Sequence, residues 1–219
     1  GLVLALSLVF IGLTIHVTPD GLYSSLFDDA MISFRYARNI ADGIGPYWNP
    51  GDKVEGFTNP LWTYLMSAVY LASGSRERLA PLFVQVICSL LLASNCFLFA
   101  SIAVKMKAQA VARGYTPALA NFLYLGASLS PVLFYPNIYW TLMGMEVALL
   151  TLLASVLFIT LFHSKAFEDG IFSKRGSKSL LIFFVCVTGQ LTRPDFVLVP
   201  VSLLAAKFLF SEKSSRAQL

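Results

Sequence analysis

The chain reads as an all-α protein, a polytopic transmembrane helical bundle with interfacial helices in its first extracytoplasmic loop. Three observations carry that reading. Of 219 residues, 57% are hydrophobic and only 13% charged, whereas a water-soluble domain carries about 25% charged residues. Several apolar runs approach the roughly 20 residues that cross a bilayer. The charges between those runs are sorted by sign, as in the loops of a multi-pass protein.

The first run, Leu2–Val17, lacks the basic start and A-x-A cleavage site of a signal peptide. It is expected to be the first transmembrane helix, clipped at its N-terminus. Further spans are expected at Ala80–Val104, Pro117–Phe134, Leu142–Phe162, Ser179–Leu191 and Phe196–Phe210. Leu61–Ser73 is apolar but short, better suited to an interfacial or re-entrant helix than to a crossing. Residues 18–79 then form one long loop.

Charge fixes the orientation. The segments Lys105–Arg113, Lys165–Lys178 and Lys207–Arg216 hold ten of the 16 basic residues and only three of the 12 acids. The positive-inside bias places these segments in the cytoplasm and the 18–79 loop outside. A full crossing at Leu61–Ser73 would put Lys105–Arg113 on the outer side, against that bias. The net charge of +4 is spread along the loops, so no basic patch for nucleic acid stands out. Cys88, Cys96 and Cys186 lie in apolar runs without metal-ligand spacing and read as small buried hydrophobes. His16 and His163 sit near span ends and read as interface residues.

The segment Asp28–Pro60, DDAMISFRYARNIADGIGPYWNPGDKVEGFTNP, is the most polar stretch of the loop. Asp28 or Asp29 can cap a short helix running to about Asp42, where an acid suits the free N–H groups and the dipole. Gly43 and Gly45 stop that helix, and Asn49-Pro50-Gly51-Asp52 reads as a turn. Asp28, Arg35, Asn39 and Asp42 fall on one side of it, a polar stripe along the membrane surface. The turns near Tyr135–Trp140 and Arg193–Asp195 are expected on the same outer side.

Residue types limit the chemistry. Neighbouring carboxylates on a helix point about 100° apart, so Asp28 and Asp29 divide between capping and a cleft-facing general base for a hydroxyl, unless both are caps. Glu146, beside an expected span start, can be a second acid, a metal ligand or a helix-start carboxylate. Arg193-Pro194-Asp195 interrupts an apolar stretch; Arg193 either lines a cavity and holds phosphate or pairs with Asp195. Arg35, Arg38 and Lys53 are further phosphate candidates, or solvated and headgroup-facing charges. Trp48, Trp62 and Trp140 suit sugar faces or a membrane aromatic belt.

The pattern DDAMISFRYARNIADGIGPYWNPGDKVEGFTNPLW, followed by GMEVAL and TRPD in that order, resembles C-type (GT-C) membrane glycosyltransferases. It is most similar to the mycobacterial terminal β-1,2-arabinofuranosyltransferases. The resemblance implies a donor sugar on polyprenyl phosphate, a cell-envelope glycan acceptor, and transfer outside the cytoplasmic membrane. It implies that Asp28 or Asp29 deprotonates the acceptor, with inversion at the anomeric carbon. Arg193, with Arg35 or Arg38, would meet the leaving phosphate. Asn49, Glu55, Asn59, Glu146 and Trp62 would shape the sugar or acceptor site. No cofactor is implied with certainty, though a divalent cation is compatible. Members of that family are several hundred residues long, so residues 1–219 are expected to be one incomplete GT-C-like domain, completed by a second chain or absent sequence. A non-catalytic membrane protein for assembly or prenyl-phosphate binding is the main alternative. A transporter built on the Arg193 break is a weaker one, because no internal repeat accompanies it.

Overall fold

The computed structural model describes residues 2–19, 21–51, 54–162 and 175–216, with side chains at all of these except 175, 176 and 210–216. Lys53 and His163 lie outside the described residues. The protein is mostly helical. In order it comprises α1 (Leu2–Leu13), β1 (Ile15–Thr18), β2 (Gly21–Ser24), α2 (Asp28–Ala41), α3 (Pro60–Ala72) and α4 (Ala80–Ala112). There follow α5 (Pro117–Leu133), α6 (Tyr135–Leu142), α7 (Val147–Phe162), α8 (Arg175–Thr192), a 3-10 turn (Pro194–Val197) and α9 (Leu198–Arg216). Two compact units result: Gly1–Phe57 with Thr63–Leu149, and Thr58–Trp62 with Leu150–Leu219.

The first expected span is shorter than its apolar run. Helix α1 ends at Leu13, and the β-branched residues of Ile15–Thr18 pair antiparallel with Gly21–Ser24 instead, the geometry such side chains favour. At twelve residues, α1 is about 18 Å long, less than the hydrocarbon thickness.

In the first unit α4 is the backbone of the packing. It has 33 residues, about 50 Å, and is the one described helix that alone is long and apolar enough to cross a membrane. Pro81 occupies its first turn, where a missing N–H costs nothing. Past its end Gly114 takes φ +86° and lets the chain reverse into α5. Thr116 caps α5 by accepting the Leu119 N–H at 3.3 Å, and Pro117 follows at the first helical position. Phe97, Phe122 and Leu125 project outward, 78%, 72% and 55% exposed, as lipid-facing side chains would.

Tyr135–Trp140, expected as a turn, is helical. Helices α5 and α6 are both apolar and meet at a 45° bend, the geometry of a broken span or of a re-entrant loop. Pro136 falls in the first turn of α6 and is tolerated there. Buried Asn137 donates to the Pro131 carbonyl at 2.6 Å, satisfying backbone across the bend. Helix α7 accordingly starts at Val147 rather than near Leu142.

In the second unit Leu157 and Leu161 of α7 and Val185 of α8 form a core, packed by Leu181, Val199 and Leu203. A Cβ at Gly189 would overlap the Phe196 ring, so the 3-10 turn packs directly on α8 backbone. Helices α1, α7 and Ser177–Thr192 are apolar but short of a full crossing by length.

Candidate functional site

Helix α2 begins at Asp28, as its sequence indicates, but the capping position belongs to Phe27, with extended backbone and no side-chain cap bond. Asp28 and Asp29 occupy the first helical turn instead. There their charge still meets the positive end of the helix dipole. Asp28 Oδ1 accepts the Asp29 N–H at 3.0 Å, and both residues are exposed.

What lies against this start is the GMEVAL segment. The Phe27 N–H donates to Met143 O at 3.0 Å. Gly144, at φ +92°, brings its backbone so close to Leu26 that a Cβ would meet Leu26 Cδ1 at 2.8 Å. The Phe27 and Trp140 rings meet edge to face at 4.6 Å. Buried Gln85 holds the other side of the junction, donating to Leu142 O at 2.9 Å, and Cys88 Sγ stands 3.9 Å from Met145 O. Glu146, directly before α7, is 1% exposed. Two motif segments more than a hundred residues apart are therefore one structural junction at the N-terminal end of α4.

Trp140 thus packs on Phe27, the residue before the paired acids, whereas Trp62 is buried with 1% exposure. The resemblance pointed to Trp62; the contact that sets Trp140 against Phe27 links residues distant in the chain and left no local signal.

The remaining candidates shape the loop after α2. Arg35 stacks over Trp48 at 4.1 Å, donates through Nε to Trp48 O at 3.3 Å, and reaches Asn49 Oδ1 at 2.9 Å. Asn39, expected on a solvated stripe, is buried. Its amide donates to Tyr47 O at 2.6 Å and Trp48 O at 3.1 Å, because Gly43 and Gly45, at φ +78° and +103°, fold the chain back over the helix. Tyr36 donates to Val54 O at 3.1 Å and packs on Trp48 and Phe57. Glu55 is exposed between Val54 and Gly56.

Arg38 forms an ion pair with Glu77. Burial first, then the Asp42 and Glu77 carboxylates, push the nearby Tyr70 phenol above its ordinary range, with Arg38 pulling it down. In the second unit Asn59 is buried. There Arg193, extended before Pro194 as a residue preceding proline prefers, lies 3.4 Å from Asp195 through Nε. Among the described residues no group of three His, Cys, Asp or Glu side chains is placed to hold a metal ion.

Comparison with known proteins gives two local similarities. A stretch of 39 residues, 18% of this chain, is 46% identical to the terminal beta-(1->2)-arabinofuranosyltransferase of Mycobacterium tuberculosis. A stretch of 49 residues, 22% of the chain, is 41% identical to the protein of the same name from Corynebacterium glutamicum. The matched stretches make up only 6% and 7% of those relatives. No family profile and no solved structure matches the chain. The chain is related to glycosyltransferases over a short stretch. That relation and the apolar α4 suggest a membrane protein.

Proposed function

We propose that this chain is the N-terminal part of a multi-pass GT-C-type glycosyltransferase of the cytoplasmic membrane, acting on its extracytoplasmic face. The donor is a polyprenyl-phosphate-linked sugar, arabinofuranose being the sugar the relatives' name suggests, and the acceptor is a cell-envelope glycan. One observation carries the reading: the exposed acids of α2 are anchored by backbone to the Met143–Glu146 segment.

In this scheme Asp29 takes the proton of the acceptor hydroxyl while that oxygen forms a bond to the anomeric carbon. The bond from that carbon to the phosphate oxygen breaks, and polyprenyl phosphate leaves with the electron pair. Asp28, already accepting the Asp29 N–H, keeps the helix start in place and serves as the alternative base. Trp140 offers an aromatic face beside them, and Glu146 supports the junction from within. Asn49 and Glu55 border the acceptor side.

Arg35 and Arg38 are assigned to the donor phosphate, and Arg193 of the second unit is a separate phosphate candidate. A guanidinium presents a planar fork of N–H donors that matches the oxygens of a phosphate. Asn59 and Trp62 can act on substrate only if the chain around them opens.

Transfer from polyprenyl-phosphoryl sugars, measured in membranes containing the chain, tests the proposal. Asp29→Asn should slow transfer by about 10²–10⁴-fold, Asp28→Asn by less, with protein levels unchanged. Undiminished transfer in the double variant removes the base. The alternative is a non-catalytic membrane protein that only binds prenyl phosphate. It predicts retention of prenyl phosphate with no transfer by any form of the protein.

A further inference from the structure

At the opposite end of α4 from the acid junction, α4 and α5 enclose a cleft of about 440 Å³. Its lining is apolar at Ala103, Phe122 and Leu123 and carries Lys107 and Arg113; among the described residues no acidic side chain lines it. Lys107 is half-buried, its Nζ 5.6 Å over the Tyr124 ring, which holds the cation at the cleft instead of leaving it in solvent. Helix α4 is longer than the roughly 20 residues a bilayer needs. Entered near Ala80, the hydrocarbon ends near Ala103, and Lys107 reaches headgroup level. A Cβ at Gly126, also in the lining, would meet no atom within 4 Å, so the groove is open there.

We propose that this cleft seats one anionic phospholipid of the leaflet at the basic end of α4. Lys107 and Arg113 hold its phosphate, and an acyl chain runs from Leu123 past Gly126 toward Ala103. Charge complementarity selects the occupant: two cations over a greasy wall fit a lipid anion better than a zwitterion. The inference rests on the membrane placement of α4 and is independent of the transferase chemistry.

The test is native mass spectrometry of the purified full chain in detergent, offered phosphatidylglycerol or phosphatidylcholine with identical acyl chains. The wild type should retain phosphatidylglycerol roughly tenfold better. The preference should vanish in the Lys107→Gln/Arg113→Gln double variant, and Gly126→Leu should reduce phosphatidylglycerol retention by filling the groove. Millimolar inorganic phosphate should not displace the lipid. Equal retention of both lipids, or retention unchanged in both variants, overturns the proposal. Displacement by phosphate does so too, by showing an anion site that needs no acyl chain.

Discussion

At Gly144 the backbone and a neighbouring side chain together exclude a larger residue. Its φ of +92° strains any L side chain, and an added methyl would press on Leu26. Gly144→Ala should therefore cost about 1–3 kcal/mol and loosen the junction, lowering transfer more than Gly43→Ala, whose Cβ meets nothing nearby. Thermal melts paired with transfer rates check this, and equal effects at the two glycines would contradict it. Asn39→Ala leaves the Tyr47 carbonyl without its amide donor and should cost about 1–3 kcal/mol. Limited proteolysis should then cut the segment after α2 faster than in wild type. Tyr70 carries a pH signature. Its raised phenol favours the neutral form in the fold, so that contribution is complete below the unfolded value near about 10 and is lost as pH rises through the higher folded value. Melting temperature should fall less steeply above that pH in Tyr70→Phe than in wild type; identical slopes would show that another group governs the loss.

At the scale of elements, helices α2, α3, α4 and α8 were legible because their residue patterns, and the glycine or proline that follows each, are local signals. The β1–β2 hairpin was legible too, in principle. His16-Val17-Thr18-Pro19-Asp20-Gly21 is a turn dipeptide set between β-branched and apolar residues, but an apolar run leading into it reads more readily as a continuing span. Gly21 takes φ +117°, and Thr18 Oγ1 donates to Gly21 O at 2.9 Å, closing the turn. Helix α6 was not legible, since its continuity across the bend depends on the Asn137 side chain reaching Pro131 O. Asn137→Leu should leave that buried carbonyl unpaired and lower stability by about 1–3 kcal/mol, with the loss seen as faster amide exchange in residues 131–142. Unchanged exchange there would mean the bend is held by packing alone. The joining of α2 to the Met143–Glu146 segment could not be read from either stretch, because neither contains its partner.

On the scale of the whole molecule, charge and hydropathy order the first unit along one axis. The acid junction lies at the start of α4, and Lys105, Lys107 and Arg113 follow about 40–50 Å along that 33-residue helix. That separation is what a membrane protein with an outer reaction site and an inner basic rim requires. The relatives' greater length leaves room for further spans.

The most direct test of the central claim is single-cysteine labelling in intact cells with a membrane-impermeant maleimide. Asp29→Cys should label from outside and be protected by added polyprenyl-phosphate sugar, while Lys107→Cys should label only after permeabilisation. Labelling at position 29 that requires permeabilisation, or that the donor leaves unchanged, would contradict an outward-facing transfer site at the start of α2.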